Sequence, residues 1–273
     1  MPLSEALEMA ARTDPGRLRP HNEDAVFCDA RQGLAILADG MGGYNAGEVA
    51  SSMAVSLLAT RIVDIRDDAE AQDFDPAGQR IAHRQLRERI EEANAEIYFA
   101  SQNEPQLAGM GTTLVVAWFY DNHLTVAHLG DSRLYCLRGG RLERLTRDHS
   151  LLQEQLDSGM ISAEQARVSR RRNLVTRALG VELRVSPELR DFEVQAGDLY
   201  LLCSDGLSDM VDDEEIAQAV RGLGGDPSLL AEQLVRMANE NGGRDNVSVI
   251  VTKVHGTFSA RGAWWQKLLS RFG

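Results

Sequence analysis

The sequence predicts an α+β domain built on antiparallel sheets, and two observations lead to this fold class. Residues 111–120, 123–129 and 132–137 form three strand-like runs, separated by turns of two residues. Turns this short join antiparallel neighbours, whereas parallel strands need long crossover connections. Elsewhere, the predicted helices stand between blocks of strands, without the regular strand–helix alternation of a doubly wound parallel sheet.

The other elements are predicted from the spacing of apolar residues and from the turn-forming residues between them. A strand near residue 10 precedes a turn at residues 14–16, and residues 25–28 and 34–38 predict a hairpin. Further strands are predicted over residues 142–145, 185–194, 199–204 and 247–254. Helices are predicted over residues 46–65, 79–101, 148–159, 162–167, 213–221 and 227–241.

The composition is that of an ordinary globular protein, with 43% apolar and 26% charged residues among 273. The formal net charge of −12 argues against a nucleic-acid partner. No run reaches the roughly 18 consecutive apolar residues of a membrane span. The first 16 residues carry three acids and lack the basic start of a signal peptide. We therefore expect a cytoplasmic protein.

Three cysteines, Cys28, Cys136 and Cys203, all lie in strand-like runs. An odd number without CxxC spacing argues against a disulfide framework and against a zinc site. We expect these side chains to serve as small buried apolar groups.

The apolar run over residues 34–38 ends at Asp39, and four glycines follow within residues 40–47. Glycine at this density allows a close backbone approach to a ligand. An acid at the end of a strand beside such a loop suits a metal ligand. Taken alone, an isolated Asp-Gly pair is more typical of an ordinary strand–turn–helix connection.

Four acids share this local setting, a strand end beside glycine or asparagine: Asp39, Asp131, Asp205 and Asp245. Each alone is explained as a turn former. If several meet at one edge of the sheets, they repel one another unless a cation lies among them. Mg²⁺ and Mn²⁺ prefer such all-oxygen surroundings. The pattern therefore predicts a site for a hard divalent cation.

Eight short motifs occur in order between Arg12 and Val254. They occupy residues 19–24, 38–43 with 46–48, 111–113, 130–133, 145–150, 176–180, 204–207 and 244–246. Each is weak alone, but eight in this order are specific. On these motifs the chain resembles the PPM family of metal-dependent protein phosphatases, the type 2C serine/threonine phosphatases, and especially their compact bacterial branch.

The resemblance implies a β-sandwich of two antiparallel sheets flanked by helices, a four-layer αββα fold, over residues 1–255. It implies a two-metal site for Mn²⁺ or Mg²⁺ at one end of the sandwich, with a third, weaker site. The implied roles follow position by position. Asp39 is implied to bridge both metals, with Asp205 and Asp245 completing the first metal and the Gly40 carbonyl binding the second, which Glu23 reaches through water. Asp131 is implied to join Asp205 at the third metal. Arg19 is implied to grip the substrate phosphate, and Asp24 and Asn246 to orient the ligands.

The activity implied by the resemblance is hydrolysis of phosphoserine and phosphothreonine by a water that bridges the two metals, reversing a bacterial serine/threonine kinase. Two cations lower the pKa of such a water and offset phosphoryl charge. An arginine matches two phosphate oxygens, which a lysine does not. Phosphorylated proteins, and a cognate kinase or its targets, are the implied partners.

Two positions depart from the family pattern. Met41 stands where eukaryotic members have a histidine that protonates the leaving group. A metal-bound water is the first expectation for this proton donor, with His21 or His149 as alternatives. Residues 168–173 lack the His-Pro that many relatives have in the corresponding flap, so substrate choice is expected to differ there. The basic charge of this flap suits an acidic or phosphorylated partner, unless it is only a solvated loop.

Residues 256–273 follow the family match and contain two tryptophans, apolar residues at helical spacing and three basic residues. We expect this C-terminal tail either to pack on the domain or to dock to a partner or a membrane surface. Besides an active phosphatase, the residues leave open a metal-binding pseudophosphatase that acts as sensor or scaffold, and a different metal hydrolase.

Overall fold

The computed structural model describes residues 1–43, 45–64, 71, 73–76, 78–162, 165 and 174–259. The strands are β1 (Leu7–Asp14), β2 (Asp24–Asp29), β3 (Leu34–Met41), β4 (Gly111–Thr112), β5 (Leu114–Tyr120), β6 (His123–Leu129), β7 (Arg133–Arg138), β8 (Arg141–Arg144), β9 (Glu188–Glu193), β10 (Leu199–Cys203) and β11 (Val247–Val254). The α-helices are α1 (Leu3–Ala6), α2 (Ala46–Asp64), α3 (Ile81–Asn103), α4 (Leu151–Asp157), α5 (Asp205–Ser208), α6 (Asp213–Leu223) and α7 (Pro227–Glu240), and residues Pro105–Leu107 form a 3₁₀ turn.

Two antiparallel sheets form the centre of the molecule. One has the strand order β1-β11-β10-β7-β8, and the other has the order β2-β3-β5-β6-β9 with β4 paired to β3. Every strand pair among the described residues is antiparallel. The predicted fold class is therefore confirmed, including the meander from β5 to β7.

Three apolar layers hold the sheets and helices together. One fills the space between the sheets, one lies between the second sheet and helices α2 and α3, and one lies between the first sheet and helices α6 and α7. Strand β5 shows how one sequence serves two layers. Val115, Ala117 and Phe119 face the layer between the two sheets, while the alternate side chains Val116 and Trp118 face helices α2 and α3. Because both faces are covered, the strand is apolar throughout.

The predicted run over residues 111–120 is divided in the structure. Thr113 lies between β4 and β5, where its N–H donates to the Asp39 carbonyl at 2.8 Å. Its hydroxyl accepts the Asp39 N–H at 3.0 Å. Both backbone groups of Asp39 are thus held by one residue. This break in the ladder fixes the end of β3.

Most predicted helices agree with the structure to within two or three residues, and the exceptions have local causes. The helix predicted from residue 148 begins at Leu151, because the Ser150 hydroxyl caps it by accepting the Gln153 N–H. The strand predicted over residues 185–194 is shorter, Glu188–Glu193. The single turns α1 and α5 were not predicted, since four residues are too few to show helical periodicity.

All three cysteines are unpaired. Cys136 and Cys203 are buried, as expected, while Cys28 is half-buried.

Helix α2 is, among the described helices, the one long and apolar enough to cross a membrane by length and composition. Ala50, Ala54, Leu58 and Ile62 of this helix are buried against the second sheet and helix α3. Its apolar character is therefore explained by packing in the core.

Packing at the C-terminus continues beyond β11. Phe258 is buried in the layer between the sheets, and its N–H donates to Asn122 Oδ1 at 2.7 Å. The Met1 amino group donates to the Thr257 carbonyl. The rest of the predicted tail, residues 260–273, and the predicted flap, residues 168–173, lie outside the described residues, as does most of the helix predicted over residues 162–167.

Candidate functional site

Five aspartates from five different chain segments meet at one end of the sandwich. Asp39 in β3 lies opposite Asp24 in β2 in the strand register. Asp205 opens the short helix after β10, and Asp245 comes two residues before β11. Asp131 lies between β6 and β7. The carboxylates of the other four are close enough to Asp39 to act on its ionisation. The convergence expected from the sequence is thus observed.

The backbone around Gly40 is packed too closely for any side chain. The Gly40 N–H donates to the Glu23 carbonyl at 3.1 Å. A Cβ on Gly40 would lie 2.2 Å from the Gly47 carbonyl oxygen, and one on Gly47 would lie 2.9 Å from Glu23 Oε1. Because only glycine fits at both positions, the start of helix α2 packs directly against the loop that carries Asp39.

Asn246 connects the segments that carry Glu23 and Asp245. Its side-chain amide donates to the carbonyls of Pro15 and His21 at 3.0 and 2.9 Å, and its Oδ1 accepts the Glu23 N–H at 2.8 Å. Its own N–H donates to Asp245 Oδ1 at 2.9 Å. The orienting role that the resemblance implied for Asn246 is consistent with these contacts.

Asp24 is held from the first sheet although it belongs to the second. The Ser204 hydroxyl donates to Asp24 Oδ2 at 2.9 Å, and the Ser248 N–H donates to the same Ser204 oxygen. The other carboxylate oxygen, Oδ1, is buried and has no hydrogen-bond partner in the described structure. A buried acceptor left in this way is costly unless a cation or a proton meets it.

Arg19 reaches the site on its exposed side. Its guanidinium donates to Asp245 Oδ2 at 2.7 Å, and the two side chains are 51% and 29% exposed. Burial lowers the pKa of Arg19, but the Asp245 carboxylate more than offsets this and raises it. The residue expected to grip phosphate is therefore paired with a residue expected to bind metal.

The carboxylates perturb one another strongly. Burial and the charges of Asp24, Asp205 and Asp131 raise the pKa of Asp39 well above its ordinary value. Burial and the charge of Asp131 do the same to the pKa of Asp205. Burial raises the pKa of Asp24 to about 6, although the nearby Ser248 and Ser204 hydroxyls oppose the shift. Burial, with the charge of Asp148, raises the pKa of Asp131 to about 6.

This donor set fits a hard divalent cation. All the converging side chains are carboxylates, and burial together with the neighbouring negative charges raises the pKa values of Asp39 and Asp205. Mn²⁺ and Mg²⁺ take oxygen ligands, and a cation among these acids removes their mutual repulsion. The orphaned oxygen of Asp24 is a further acceptor beside this cluster. The residues present therefore suit the cofactor that the sequence predicted.

The two histidines considered as proton donors lie in different surroundings. His149 is buried and stacks on His128 with ring centroids 4.6 Å apart. Burial and the neighbouring His128 lower the pKa of His149 to about 4, so its ring is neutral near pH 7. His21 is exposed, and its carbonyl accepts from Asn246. His149 is therefore a poor general acid.

His128, His149 and Glu188 also form a compact group of potential metal ligands, with ligand atoms within 4.8 Å of one another. Two contacts oppose a metal there. The Gly130 N–H donates to His149 Nδ1, which places the proton of the neutral ring on Nε2. The rings are also almost parallel, at 10°, so one ion cannot lie in the plane of both. We regard the two histidines of this group as a packed pair and not as a metal site.

Sequence reasoning assigned no role to several residues that support the site. Thr113 holds Asp39, and its hydroxyl also bonds Ser132 at 2.8 Å. Arg133 donates to both oxygens of Asp148, from 2.8 to 3.3 Å. These residues lie inside motifs that the sequence showed. Their partners are distant in the chain, so only the fold reveals what they contact.

Replacement of Asp39 by asparagine tests the charge imbalance. The raised pKa values mean that the folded chain binds protons more tightly than the unfolded chain, so without metal its free energy of unfolding falls as pH rises from about 4 through 6. We expect Asp39→Asn to raise the melting temperature of the metal-free protein at pH 7.5. Mn²⁺ at about 100 times its Kd should stabilise the wild type by about 2.7 kcal/mol and this variant much less.

Differential scanning calorimetry with and without Mn²⁺ provides both measurements. Asp64→Asn, at the exposed end of helix α2, is the matched control and should behave as the wild type. A variant that melts at a lower temperature without metal and keeps the full Mn²⁺ shift would contradict the charge account.

Comparisons with known proteins agree with this geometry. The family model described as "Protein phosphatase 2C" matches residues 19–246. PstP, a serine/threonine protein phosphatase of Mycobacterium tuberculosis, is 43% identical over 249 residues, covering 91% of this chain. The chain spans only 45% of the length of that relative. Stp, a serine/threonine phosphatase of Listeria monocytogenes, is 42% identical over 89% of this chain and 94% of its own length.

Solved structures agree in fold. The catalytic domain of PstP, in complex with two manganese ions, is 40% identical with a TM-score of 0.78, covering 92% of this chain and 99% of that one. PppA, described as a key regulatory component of the type VI secretion system in Pseudomonas aeruginosa, is 32% identical with a TM-score of 0.77, covering 91% and 98%.

These matches confirm the resemblance, and the manganese-bound relative agrees with the predicted cofactor. The chain belongs to the protein phosphatase 2C family.

Proposed function

We propose that this chain hydrolyses phosphoserine and phosphothreonine on proteins with the help of Mn²⁺ or Mg²⁺. The observation that carries the proposal is the convergence of Asp39, Asp205, Asp131 and Asp245 at one open end of the sandwich, with Arg19 beside them. The names of the relatives supply the substrate class.

The proposed ligands divide the site in two. Asp39 would be shared by two cations, one of which Asp205 and Asp245 would also hold. The Gly40 carbonyl, with Glu23 behind it, would hold the other. Asp131 and Asp205 would hold a third, weaker cation. When bound, two such cations offset developing phosphoryl charge and lower the pKa of a water.

The protein's own groups keep these ligands in place. Thr113 holds the backbone of Asp39 on both sides, and Asn246 ties Asp245 to the segment of Glu23. Ser204 orients Asp24. Rigid support of this kind keeps acids together that would otherwise separate by repulsion.

Arg19 can exchange its partner at little cost. Exposed ion pairs contribute only about 0–1 kcal/mol, so the contact with Asp245 is easily given up. The guanidinium then presents two parallel N–H donors to phosphate oxygens. Positioning the phosphorylated residue is the role we assign to it.

The proton donor for the leaving alkoxide is not a histidine after Gly40, because Met41 stands there and cannot donate. His149 is neutral near pH 7 and packs against His128. The expectation that water serves as the donor is therefore retained as part of the proposal.

The proposed cellular role is reversal of a bacterial serine/threonine kinase in the cytoplasm. Likeness to PppA would point to type VI secretion, but PstP and Stp are more similar in sequence. A metal-binding pseudophosphatase is the second candidate, and the complete acid set with Arg19 speaks against it.

Turnover of a phosphothreonine peptide tests the proposed activity. We expect hydrolysis that needs Mn²⁺, stops with a chelator and is abolished in Asp39→Asn. Arg19→Lys keeps the charge but loses the two-pronged contact, a loss of about 1.5–3 kcal/mol, or roughly 10- to 150-fold in kcat/KM. Phosphate release measures all of these effects.

Arg31→Lys is the matched control for Arg19→Lys. Arg31 also pairs with an aspartate, Asp29, but at the far end of the β2–β3 hairpin. Normal activity of Asp39→Asn would contradict the role proposed for Asp39, whereas binding of Mn²⁺ by the wild type without turnover would favour the pseudophosphatase.

The proposed domain division places a docking segment after the phosphatase domain. Residues 256–259 pack on the domain, and Phe258 is buried. The basic and apolar composition of residues 260–273 suits a partner surface or an anionic membrane.

Removal of residues 260–273 tests this division. We expect the shortened chain to keep its melting temperature and its turnover of p-nitrophenyl phosphate, and to lose sedimentation with anionic phospholipid vesicles or with its partner. A lowered melting temperature would show instead that the segment packs on the domain.

A further inference from the structure

A groove of about 1150 Å³ leads away from the acid cluster along the outer face of the first sheet. Asp131 and Asp205 line its inner end. From there it runs between the β7–β8 hairpin on one side and the start of helix α6 on the other. The groove is thus continuous with the proposed catalytic site.

Half-buried apolar side chains from three elements line this groove. Leu142 belongs to strand β8, Leu152 and Leu156 to helix α4, and Met210 to the segment before helix α6. Apolar side chains that remain accessible in a groove offer contact area to a bound polypeptide. A small phosphate ester would use only the inner end.

The charged side chains in the groove differ in how far a bound polypeptide can interact with them. Near the inner end, the proposed cations would neutralise the acids. On helix α6, Asp212 and Glu215 form a capping box, and Glu214 pairs with Arg221. The positive end of the helix dipole offsets the acids of this first turn.

The arginines of strand β8 are less satisfied. Arg144 reaches Asp148 only at 3.5 Å and Gln153 Oε1 only at 3.4 Å, and Asp148 is already held by Arg133 at 2.8 Å. Arg141 is exposed and forms no ion pair with a described residue. The wall formed by strand β8 is therefore positive, whereas the acids of the groove lie on the facing wall, at the start of helix α6.

The register gives the distances. Arg144 lies opposite Tyr135, and Arg141 lies opposite Arg138. Tyr135 and Arg138 come four and seven residues after Asp131. At about 3.3 Å per residue, the arginines opposite them therefore lie about 13 and 23 Å from the acid cluster. An extended polypeptide advances by the same rise, so the arginines lie beside its fourth and seventh residues.

We propose that this groove binds the polypeptide on one side of the phosphorylated residue. Arg144 and Arg141 then select substrates with an acidic residue about four and about seven positions away. The inference rests on the proposed phosphatase activity and adds a substrate class to it. Arg144 and Arg141 are specificity residues that do not touch the phosphate.

Two series of phosphothreonine peptides test the proposal with Mn²⁺-loaded enzyme. One series places glutamate, lysine or alanine four or seven positions before the phosphothreonine, and the other places the same residues four or seven positions after it. The readout is the ratio of kcat/KM for glutamate over alanine, which is taken within each variant. In one series we expect a ratio of about two- to fivefold for the wild type, the size of an exposed ion pair.

Arg144→Ala should reduce that ratio to about one, and Arg144→Glu should reverse it in favour of a lysine peptide. Arg141→Ala should do the same for glutamate at position seven. Arg236→Ala, on the exposed face of helix α7 and outside the groove, is the matched control and should keep the wild-type ratio.

Three results would count against the proposal. A wild-type ratio near one in both series overturns it, and so does a preference that persists in Arg144→Ala. In both cases the alanine peptide is still hydrolysed, so the proposed activity stands. Absence of turnover for every peptide and for p-nitrophenyl phosphate refutes the activity itself, and the inference with it.

Discussion

Mutual repulsion among the acids at one end of the sandwich is the constraint on which the rest of the site depends. Burial and the charges of Asp24, Asp205, Asp131 and Asp245 together raise the pKa of Asp39 well above the ordinary range. Such an arrangement lowers stability unless positive charge is supplied. The fold therefore maintains a local excess of negative charge that a divalent cation would relieve.

Two sheets are needed to maintain this excess. Asp24 and Asp39 come from one sheet, whereas Asp205 and Asp245 adjoin strands of the other. The three apolar layers press these strands together, so the acids cannot move apart without disturbing the core. Local contacts complete the restraint. Thr113 holds Asp39, and glycines at positions 40 and 47 let helix α2 approach the loop.

The sequence predicted the fold class and the acids because both are expressed in local patterns. Strand-like runs with two-residue turns indicated antiparallel pairing, and strand-end aspartates indicated a cation site. Contacts between distant residues have no local pattern. The break at Thr113 and the pairing of Arg19 with Asp245 depend on segments more than 70 residues apart. The short helix at Asp205 was missed because one turn shows no periodicity.

The neutral histidine pair illustrates the same limit. His149 lies in a motif beside Asp148 and could be considered a proton donor from sequence. Its stacking on His128 and its burial are properties of the fold, and they lower its pKa to about 4. Residue type alone does not determine protonation. The groove beside β8 is likewise visible only once the hairpin, helix α4 and helix α6 are assembled.

Proton release on Mn²⁺ binding is the most direct test of the repulsion account. Asp24 and Asp131 have pKa values of about 6, so at pH 6 the metal-free site holds protons that a cation must displace. Titration calorimetry in buffers of different ionisation enthalpy measures that release. The account predicts release at pH 6 that decreases towards pH 8. Binding of Mn²⁺ at pH 6 without proton release would contradict it.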